Sequence, residues 1–306
     1  MKIVYLGTPD FAVAPLKRIL DSKKYEVTGV VTNRDKPVGR KQIITECPVK
    51  KLAKEYGVPV FSYDKIKVEG VEDLKKLSPD IMITCAFGQI LSAEILDIPK
   101  LGVYNIHASL LPKYRGASPI NYALLNGEKE TGVTVMKTDV GVDTGDILLS
   151  EKIAINDTDN AGDLFEKLSV LGADCIMKAL EMISTGKQIL TPQDNEQATY
   201  TKIIKKEDAL IDWTDTAENI VNKIRAYNPS PVAYTEIDGV PLKIYRAEVS
   251  DGEGKMGEIL SCGKCLEIGC GKGSVKILEI KKSGGNRMSA EDFLRGNRFT
   301  PGDLIG

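Results

Sequence analysis

The sequence has a single histidine, His107, among 306 residues and no excess of basic side chains, with 41 Lys and Arg against 43 Asp and Glu. The resulting net charge of −2 gives no support for bulk attraction to nucleic acid or membrane surfaces, although it is compatible with a local basic patch. No apolar run reaches the roughly 18 residues of a membrane span, and the opening run KIVYL is too short for a signal-peptide core. We therefore expect a cytoplasmic protein.

The composition is that of an ordinary globular enzyme, with 42% hydrophobic and 27% charged residues. The length suits about two domains at the usual size of roughly 150 residues each. A core of useful size is thus available to each half of the chain.

Six cysteines are present, and the stretch CGKCLEIGC contains three of them, Cys262, Cys265 and Cys270. The first two have the spacing of half a zinc site, but the other half is missing and the histidine lies far upstream. A hairpin turning at Gly263-Lys264, with reduced cysteines as small apolar side chains, is the favoured interpretation. We predict no metal site.

The N-terminal half alternates predicted strands with helical segments, which is typical of a doubly wound, mostly parallel α/β sheet. The predicted strands lie at residues 2–6, 26–32, 58–61, 80–86, 101–107, 132–138 and 146–153. After the first strand, Thr8 is the expected N-cap of a helix that has Pro9 in its first turn. This turn lacks the second and third glycines of a dinucleotide-binding loop, which disfavours a nicotinamide or flavin enzyme.

The C-terminal half differs in pattern. A helix is predicted from about Asn160 to Ser184, and the polar stretch 187–206 reads as a linker. A short helix from about Thr216 to Ala226 and five short alternating segments then predict a small β-barrel. The predicted domains are therefore 1–186, a Rossmann-like catalytic domain, and 207–306, a barrel of the OB-like type.

The stretch NIHASLLP places Asn105 and His107 two residues apart at the end of a predicted strand. Residues i and i+2 of a strand face the same side, and ligands bind at the carboxyl ends of strands in open α/β sheets. Asp143, bracketed by Gly141 and Gly145, follows the next strand and is expected to approach His107. An amide and an imidazole aimed at one point form an oxyanion site, with the carboxylate handling a proton. Taken singly, however, such a histidine is more often structural, and such an aspartate is more often a turn former.

The stretches NIHASLLPKYRGASPINYALLNGE and TGVTVMKTDVGVDTGDIL resemble the folate-dependent formyltransferases, and this similarity extends over essentially the whole chain. The opening MKIVYLGTPDFAVAPL and the ending FLRGNRFTPGD resemble the members that formylate methionyl-tRNA. The resemblance implies transfer of a formyl group from 10-formyltetrahydrofolate to the amino group of methionine on initiator tRNA. In it, Asn105 and His107 stabilise the developing oxyanion and Asp143 relays the proton.

The resemblance also implies binding residues. For the folate these are Phe87, Gly88, Gln89, Ser109, Leu110, Leu111 and Pro112. For the tRNA they are Arg40, Lys41, Lys202, Lys205 and Lys206, of which the last three are otherwise a solvated face. The tRNA and the folate are the expected partners of a monomer.

Other functions remain open at this point. Within the family they are a formyltetrahydrofolate hydrolase and transferases acting on glycinamide ribonucleotide or a nucleotide sugar. From other classes they are an RNA-binding protein with a relic enzyme domain and the disfavoured nucleotide-dependent oxidoreductase. The intact set of Asn105, His107 and Asp143 argues against the relic.

Overall fold

A computed structural model describes residues 1–39, 42–237 and 239–305 of the protein. The chain forms two compact units. The first comprises Met1–Gly116, Glu130–Ala154 and Phe165–Thr201, and the second comprises Ala117–Lys129, Ile155–Leu164 and Lys202–Gly306.

The first unit contains eleven strands among its described residues. They are β1 (Lys2–Gly7), β2 (Glu26–Asn33), β3 (Lys36–Val38), β4 (Ile43–Thr45), β5 (Val60–Tyr63), β6 (Ile81–Cys85), β7 (Val103–His107), β8 (Arg115–Gly116), β9 (Glu130–Lys137), β10 (Ile147–Ala154) and β11 (Tyr200–Thr201).

Seven of these strands form one sheet in the order β10-β9-β7-β6-β1-β2-β5. The five strands from β7 to β5 run parallel, whereas β9 and β10 are antiparallel to their neighbours. The central strands β1 and β6 are buried along nearly their whole length, as continuous Val, Ile and Leu runs predict for a sheet covered on both faces. The predicted doubly wound, mostly parallel fold is confirmed.

Helices follow the strands, as the alternating pattern predicts. They are α1 (Val13–Ser22), α2 (Pro48–Glu55), α3 (Ile66–Glu69), α4 (Val71–Leu77), α5 (Ala93–Leu96), α6 (Pro119–Leu125), α7 (Ala161–Ser184), α8 (Ala217–Ala226) and α9 (Ala290–Gly296). On α7 the predicted apolar stripe buries Leu164, Leu168 and Cys175 completely. The side chain of Ile106 in β7 reaches Gly172 of this helix, so α7 covers the face of the sheet opposite Asn105 and His107.

The predicted N-cap at Thr8 is wrong. A 3-10 turn at Asp10–Ala12 precedes α1, which begins at Val13 without a side-chain cap. The Thr8 hydroxyl instead accepts hydrogen bonds from the backbone and side-chain nitrogens of Asn33, both at 3.1 Å. Its oxygen therefore joins the ends of β1 and β2, a long-range contact that a local capping rule does not anticipate.

The second unit contains an antiparallel sheet in the order β12-β13-β16-β15-β14, with β17 paired to β16. Its strands are β12 (Tyr234–Ile237), β13 (Val240–Ser250), β14 (Ile259–Cys262), β15 (Leu266–Gly269), β16 (Ser274–Lys282) and β17 (Met288–Ser289). The sheet curls as a half-barrel, which confirms the fold class predicted for this part of the chain. The predicted caps are also present: Thr216 caps α8 and Ser289 caps α9.

No helix within the described residues is both long enough and apolar enough to cross a membrane.

Candidate active site

Asn105 and His107 end the parallel strand β7, at the carboxyl edge of the sheet. They share one face of the strand, and Ile106 points to the other, where it is 2% exposed. The neighbouring strand β9 pairs antiparallel to β7, with His107 opposite Thr134 and Asn105 opposite Met136. The loop that follows β9 is consequently delivered to the same edge of the sheet.

The imidazole of His107 is buried, at 6% exposure, and its orientation is fixed by the backbone. Nε2 lies 2.8 Å from the carbonyl oxygen of Tyr114. Because a carbonyl oxygen only accepts hydrogen bonds, Nε2 must carry the hydrogen in this arrangement. The other ring nitrogen, Nδ1, then faces Asp143, with 3.6 Å between Nδ1 and Oδ2.

The loop after β9 folds back tightly enough that one of its glycines has no room for a side chain. A Cβ on Gly145 would lie 1.8 Å from the carbonyl oxygen of Lys137. Asp139 closes the loop, since its Oδ1 accepts from the backbone nitrogen of Gly141 and the hydroxyl of Thr144. Asp143 has a φ of +53°, in the left-handed region that residues other than glycine adopt less readily.

The Asp143 carboxylate connects the parts of the site. Oδ1 accepts a hydrogen bond from Asn105 Nδ2 at 3.2 Å, and Oδ2 accepts one from the backbone nitrogen of Gly116 at 2.8 Å. With His107 Nδ1 at 3.6 Å, both predicted partners lie within reach of one carboxylate. The structure therefore brings Asn105, His107 and Asp143 together, as expected from the sequence.

Thr84, at the carboxyl end of β6, determines which way the Asn105 amide points. Its hydroxyl lies 2.9 Å from Asn105 Oδ1 and donates to it, so the amide nitrogen must face Asp143. One hydrogen of Nδ2 is used by Asp143, and an amide nitrogen carries two. The second hydrogen is the one that Asn105 can offer to a ligand.

The side chains beside this group are poor nucleophiles. Burial raises the pKa of the Cys85 thiol to about 12, so the thiolate is scarce at neutral pH. The Ser109 hydroxyl donates to the carbonyl oxygen of Lys113 at 2.7 Å, and the side chain is almost fully buried. A covalent intermediate on either residue is therefore disfavoured, whereas direct transfer between two substrates needs neither of them.

The segment from Ser109 to Pro112, predicted to contact folate, follows β7 directly. The Thr134 hydroxyl donates to the carbonyl oxygen of Ser109 at 2.7 Å and lies 3.2 Å from the backbone nitrogen of Leu111, from which it accepts. Leu111 is 7% exposed, while Leu110 and Pro112 are partly exposed. The segment is thus fastened to β9 through its backbone.

The other predicted folate residues, Phe87, Gly88 and Gln89, follow β6, the parallel neighbour of β7. Gly88 has a φ of +75° and open space where a side chain would project. Phe87 belongs to the hydrophobic core. The Gln89 amide bonds to Asn33, to Tyr63 and to the backbone of Ile66, so its side chain joins neighbouring loops.

Residues 1–180 match the formyl transferase family, and residues 203–298 match the C-terminal domain of formyl transferases. A methionyl-tRNA formyltransferase from Kosmotoga olearia is 47% identical over all of both chains. The enzyme of that name from Geobacter metallireducens is 44% identical over the whole chain and 99% of its own length. The chain belongs to the formyl transferase family, among the methionyl-tRNA formyltransferases.

The fold of this family member also resembles that of a solved N-formyltransferase from Helicobacter canadensis in complex with folinic acid and dTDP-3-aminofucose. The TM-score is 0.70 over 92% of this chain and 99% of that one, at 23% identity. At that identity the likeness concerns the fold alone. Family membership over both domains excludes the oxidoreductase interpretation, and the match of the first domain runs through all three side chains of the candidate site.

The predicted tRNA-binding residues of this formyl transferase are only partly described by the structure. Arg40 and Lys41 lie outside the described residues. Lys202, Lys205 and Lys206 are all exposed, and none of their ammonium groups lies within 4 Å of a carboxylate in the described part of the chain. These three cations are therefore available to an external anion.

The cysteine-rich stretch forms the predicted hairpin, in which β14 and β15 pair around residues 263–265. Cys262 donates to the backbone oxygen of Phe299, and Cys270 is buried beside its own strand. Within residues 1–39, 42–237 and 239–305, no group of three or more His, Cys, Asp or Glu side chains is arranged to hold a metal ion.

Sequence reasoning missed the residues that support the site from behind. Thr84 orients Asn105, the Gly116 amide holds Asp143, and Gln193 donates to the backbone oxygens of Asp143 and Gly145 at 2.9 and 2.7 Å. Gln193 belongs to a polar stretch with no local pattern that marks it. Thr84 could have been found, because it ends the strand next to β7.

Proposed function

We propose that the protein transfers the formyl group of 10-formyltetrahydrofolate to the amino group of methionyl-initiator tRNA, a reaction of translation initiation. The observation that carries this proposal is the match, at 44 and 47% identity, to methionyl-tRNA formyltransferases along the whole chain, including residues 203–298. A one-domain formyltransferase would match only the first part.

The chemistry requires charge stabilisation and one proton transfer. Attack by the amine nitrogen forms a C–N bond to the formyl carbon and moves the carbonyl electron pair onto oxygen. The new ammonium loses a proton, the bond from carbon to the folate N10 breaks, and N10 leaves with a proton. A site for this reaction needs donors at the oxygen and a proton acceptor near the amine.

Asn105 supplies a donor to the oxyanion through the second hydrogen of Nδ2, since the first is held by Asp143 at 3.2 Å. Thr84 fixes the amide in this orientation before substrate arrives. A preorganised donor of this kind contributes roughly 100- to 1000-fold to the rate.

His107 acts through Nδ1, because Nε2 is held by the Tyr114 carbonyl at 2.8 Å. When Nδ1 is protonated, the imidazolium places positive charge beside the oxyanion. Asp143, 3.6 Å from Nδ1, balances that charge and receives the proton from the amine. One carboxylate thus serves both the histidine and the nucleophile.

The folate is held at the edge formed by β6 and β7, where residues 87–89 and 109–112 follow two adjacent parallel strands. This is the position at which open α/β sheets bind ligands. The open space at Gly88 and the partial exposure of Leu110 and Pro112 fit a flat ring system next to backbone. The buried Phe87 and the hydrogen-bonded Gln89 act by shaping this wall.

For the tRNA, we propose contacts by Lys202, Lys205 and Lys206 and by the second unit, with Arg40 and Lys41 as further candidates. The proposed domain limits are 1–186 and 207–306, with 187–206 between them. The enzyme works as a monomer in the cytoplasm, where its tRNA substrate is found.

The test is a transfer assay with radiolabelled 10-formyltetrahydrofolate and charged initiator tRNA. Label should appear in formyl-methionyl-tRNA, and release of label should depend on the charged tRNA. Glycinamide ribonucleotide, a nucleotide amino sugar and water serve as alternative acceptors in parallel reactions. Label release at the same rate without tRNA would identify a hydrolase and refute the proposal, as would preferential labelling of either small acceptor.

A further inference from the structure

The most unusual charged group outside the three candidate catalytic residues is the guanidinium of Arg115, in β8. The residue is 1% exposed and is among the largest fully buried side chains of the described chain. Buried charges are normally paired with an opposite charge. Within the described residues, however, no carboxylate lies within 4 Å of this guanidinium.

Neutral oxygens take the place of a carboxylate around Arg115. Its Nε and Nη2 donate to Gln193 Oε1 at 3.0 and 2.8 Å. Nη2 also donates to Asn195 Oδ1 at 2.9 Å, and Nη1 donates to the Tyr200 hydroxyl at 3.1 Å. The bidentate contact goes to Gln193, which makes this glutamine the main partner of the arginine.

Gln193 passes this constraint to the loop that carries Asp143. Because Oε1 accepts from Arg115, Nε2 must point the other way, where it donates to the carbonyl oxygens of Asp143 and Gly145. These two carbonyls flank the turn in which Asp143 adopts its left-handed φ of +53°. Both hydrogens of the amide are therefore used to hold the least favourable backbone conformation in the site.

The chain around both residues is fastened at each end. Thr191 exchanges two backbone hydrogen bonds with Ile147 at the start of β10, and β11 pairs with β8 beside Arg115. Arg115 also directly precedes Gly116, whose amide donates to the Asp143 carboxylate. The arginine is thus linked to Asp143 by two routes, through Gln193 and through its own backbone.

We propose that Arg115 and Gln193 are positioning residues that hold the Asp143 carboxylate against Asn105 and His107. The activity part of this inference rests on the proposed function, because it assigns a supporting role to the site that performs the transfer. Neither side chain contacts Asn105 or His107 directly. Their effect is exerted through the geometry of the loop.

The decisive variant is Gln193→Glu. A carboxylate keeps both hydrogen bonds from Arg115 and adds an opposite charge, but it presents an oxygen to the carbonyls of Asp143 and Gly145. The hydrogen bonds to the loop are lost while the arginine stays paired. We expect kcat to fall about 10- to 100-fold, because a misplacement of about 1 Å costs this much, with both KM values changed less than about threefold.

Asn195→Ala is the matched control. It removes one hydrogen bond from the same guanidinium, at 2.9 Å, without touching the Asp143 loop. Arg115 keeps Gln193 and Tyr200 as partners, so kcat should stay within about twofold of wild type. Arg115→Met removes the whole network and is informative only where circular dichroism shows that the variant is folded.

A second readout needs no substrate. Since His107 is the single histidine of the chain, protein labelled with ¹⁵N-histidine gives the signals of one imidazole. Gln193→Glu should shift these signals, because Asp143 Oδ2 lies 3.6 Å from Nδ1, whereas Asn195→Ala should leave them in place.

The two readouts together keep the inference separate from the proposed function. A wild-type protein that fails to formylate methionyl-tRNA refutes the function but leaves the imidazole signal as a test of positioning. Wild-type kcat or an unmoved imidazole signal in Gln193→Glu overturns the inference. An equal loss of kcat in Asn195→Ala also overturns it, because the effect would then be general.

Discussion

Replacing Asp143 by asparagine tests the central assignment, because the substitution preserves size and removes charge. The carboxylate accepts from Asn105 at 3.2 Å and from the Gly116 amide at 2.8 Å. An asparagine has one acceptor oxygen in place of two, so its amide nitrogen must face a donor on one side. Hydrogen bonds to a charged group are worth about 1.5–3 kcal/mol, and one of them is lost.

The loss of the proton acceptor adds to this cost. General acid–base catalysis contributes about 100- to 10,000-fold, which corresponds to roughly 2.7–5.5 kcal/mol in the activation free energy. We expect Asp143→Asn to lower kcat within that range. Binding of both substrates should change little, because the carboxylate acts mainly in the transition state.

The assay is a single-turnover transfer of labelled formyl to methionyl-tRNA with enzyme in excess, which separates chemistry from product release. Asp139→Asn is the control, since Asp139 lies four residues earlier in the same loop and bonds only to Gly141 and Thr144. It should react at close to the wild-type rate. The reasoning is refuted if Asp143→Asn retains that rate or if both variants lose activity equally.

Three smaller predictions follow from individual contacts. Thr84→Val removes the hydrogen bond that orients Asn105 and should lower kcat about 2- to 10-fold, the equivalent of one neutral hydrogen bond, with a wild-type rate counting against the orientation argument. Gly145→Ala places a Cβ 1.8 Å from a backbone oxygen, so we expect at least about a tenfold lower kcat and a lower Tm in calorimetry. Changing three exposed lysines to glutamine should raise the KM for tRNA and flatten its salt dependence by about 0.9 per phosphate contact, whereas an unchanged slope would exclude them as phosphate contacts; they are Lys202, Lys205 and Lys206.

The sequence predicts the front of the site because its signals are local. The two-residue period of a strand places Asn105 and His107 on one face, and the paired glycines mark a tight loop around Asp143. Each of these features can be read within about ten residues of sequence. The pairing of β7 with β9 then brings the three side chains together.

The back of the site could not be predicted, because its contacts connect distant positions. Arg115 and Gln193 are 78 residues apart, and the stretch around Gln193 has the polar composition of an exposed segment. The error at Thr8 has the same origin, since its oxygen is taken by Asn33 across the sheet. Where a polar side chain can choose between a local and a distant partner, composition does not decide between them.

Acceptor choice has to be explained outside the three candidate catalytic residues. An amide, an imidazole and a carboxylate at the end of one strand stabilise charge on a formyl oxygen whatever amine attacks it. A protein with a net charge of −2 also has no bulk attraction for a polyanion, so a tRNA must be bound through local groups of cations. Three unpaired, exposed lysines within five residues of the chain, Lys202 to Lys206, provide one such group. Variants there should therefore discriminate between acceptors, and variants at Asp143 should slow every acceptor alike.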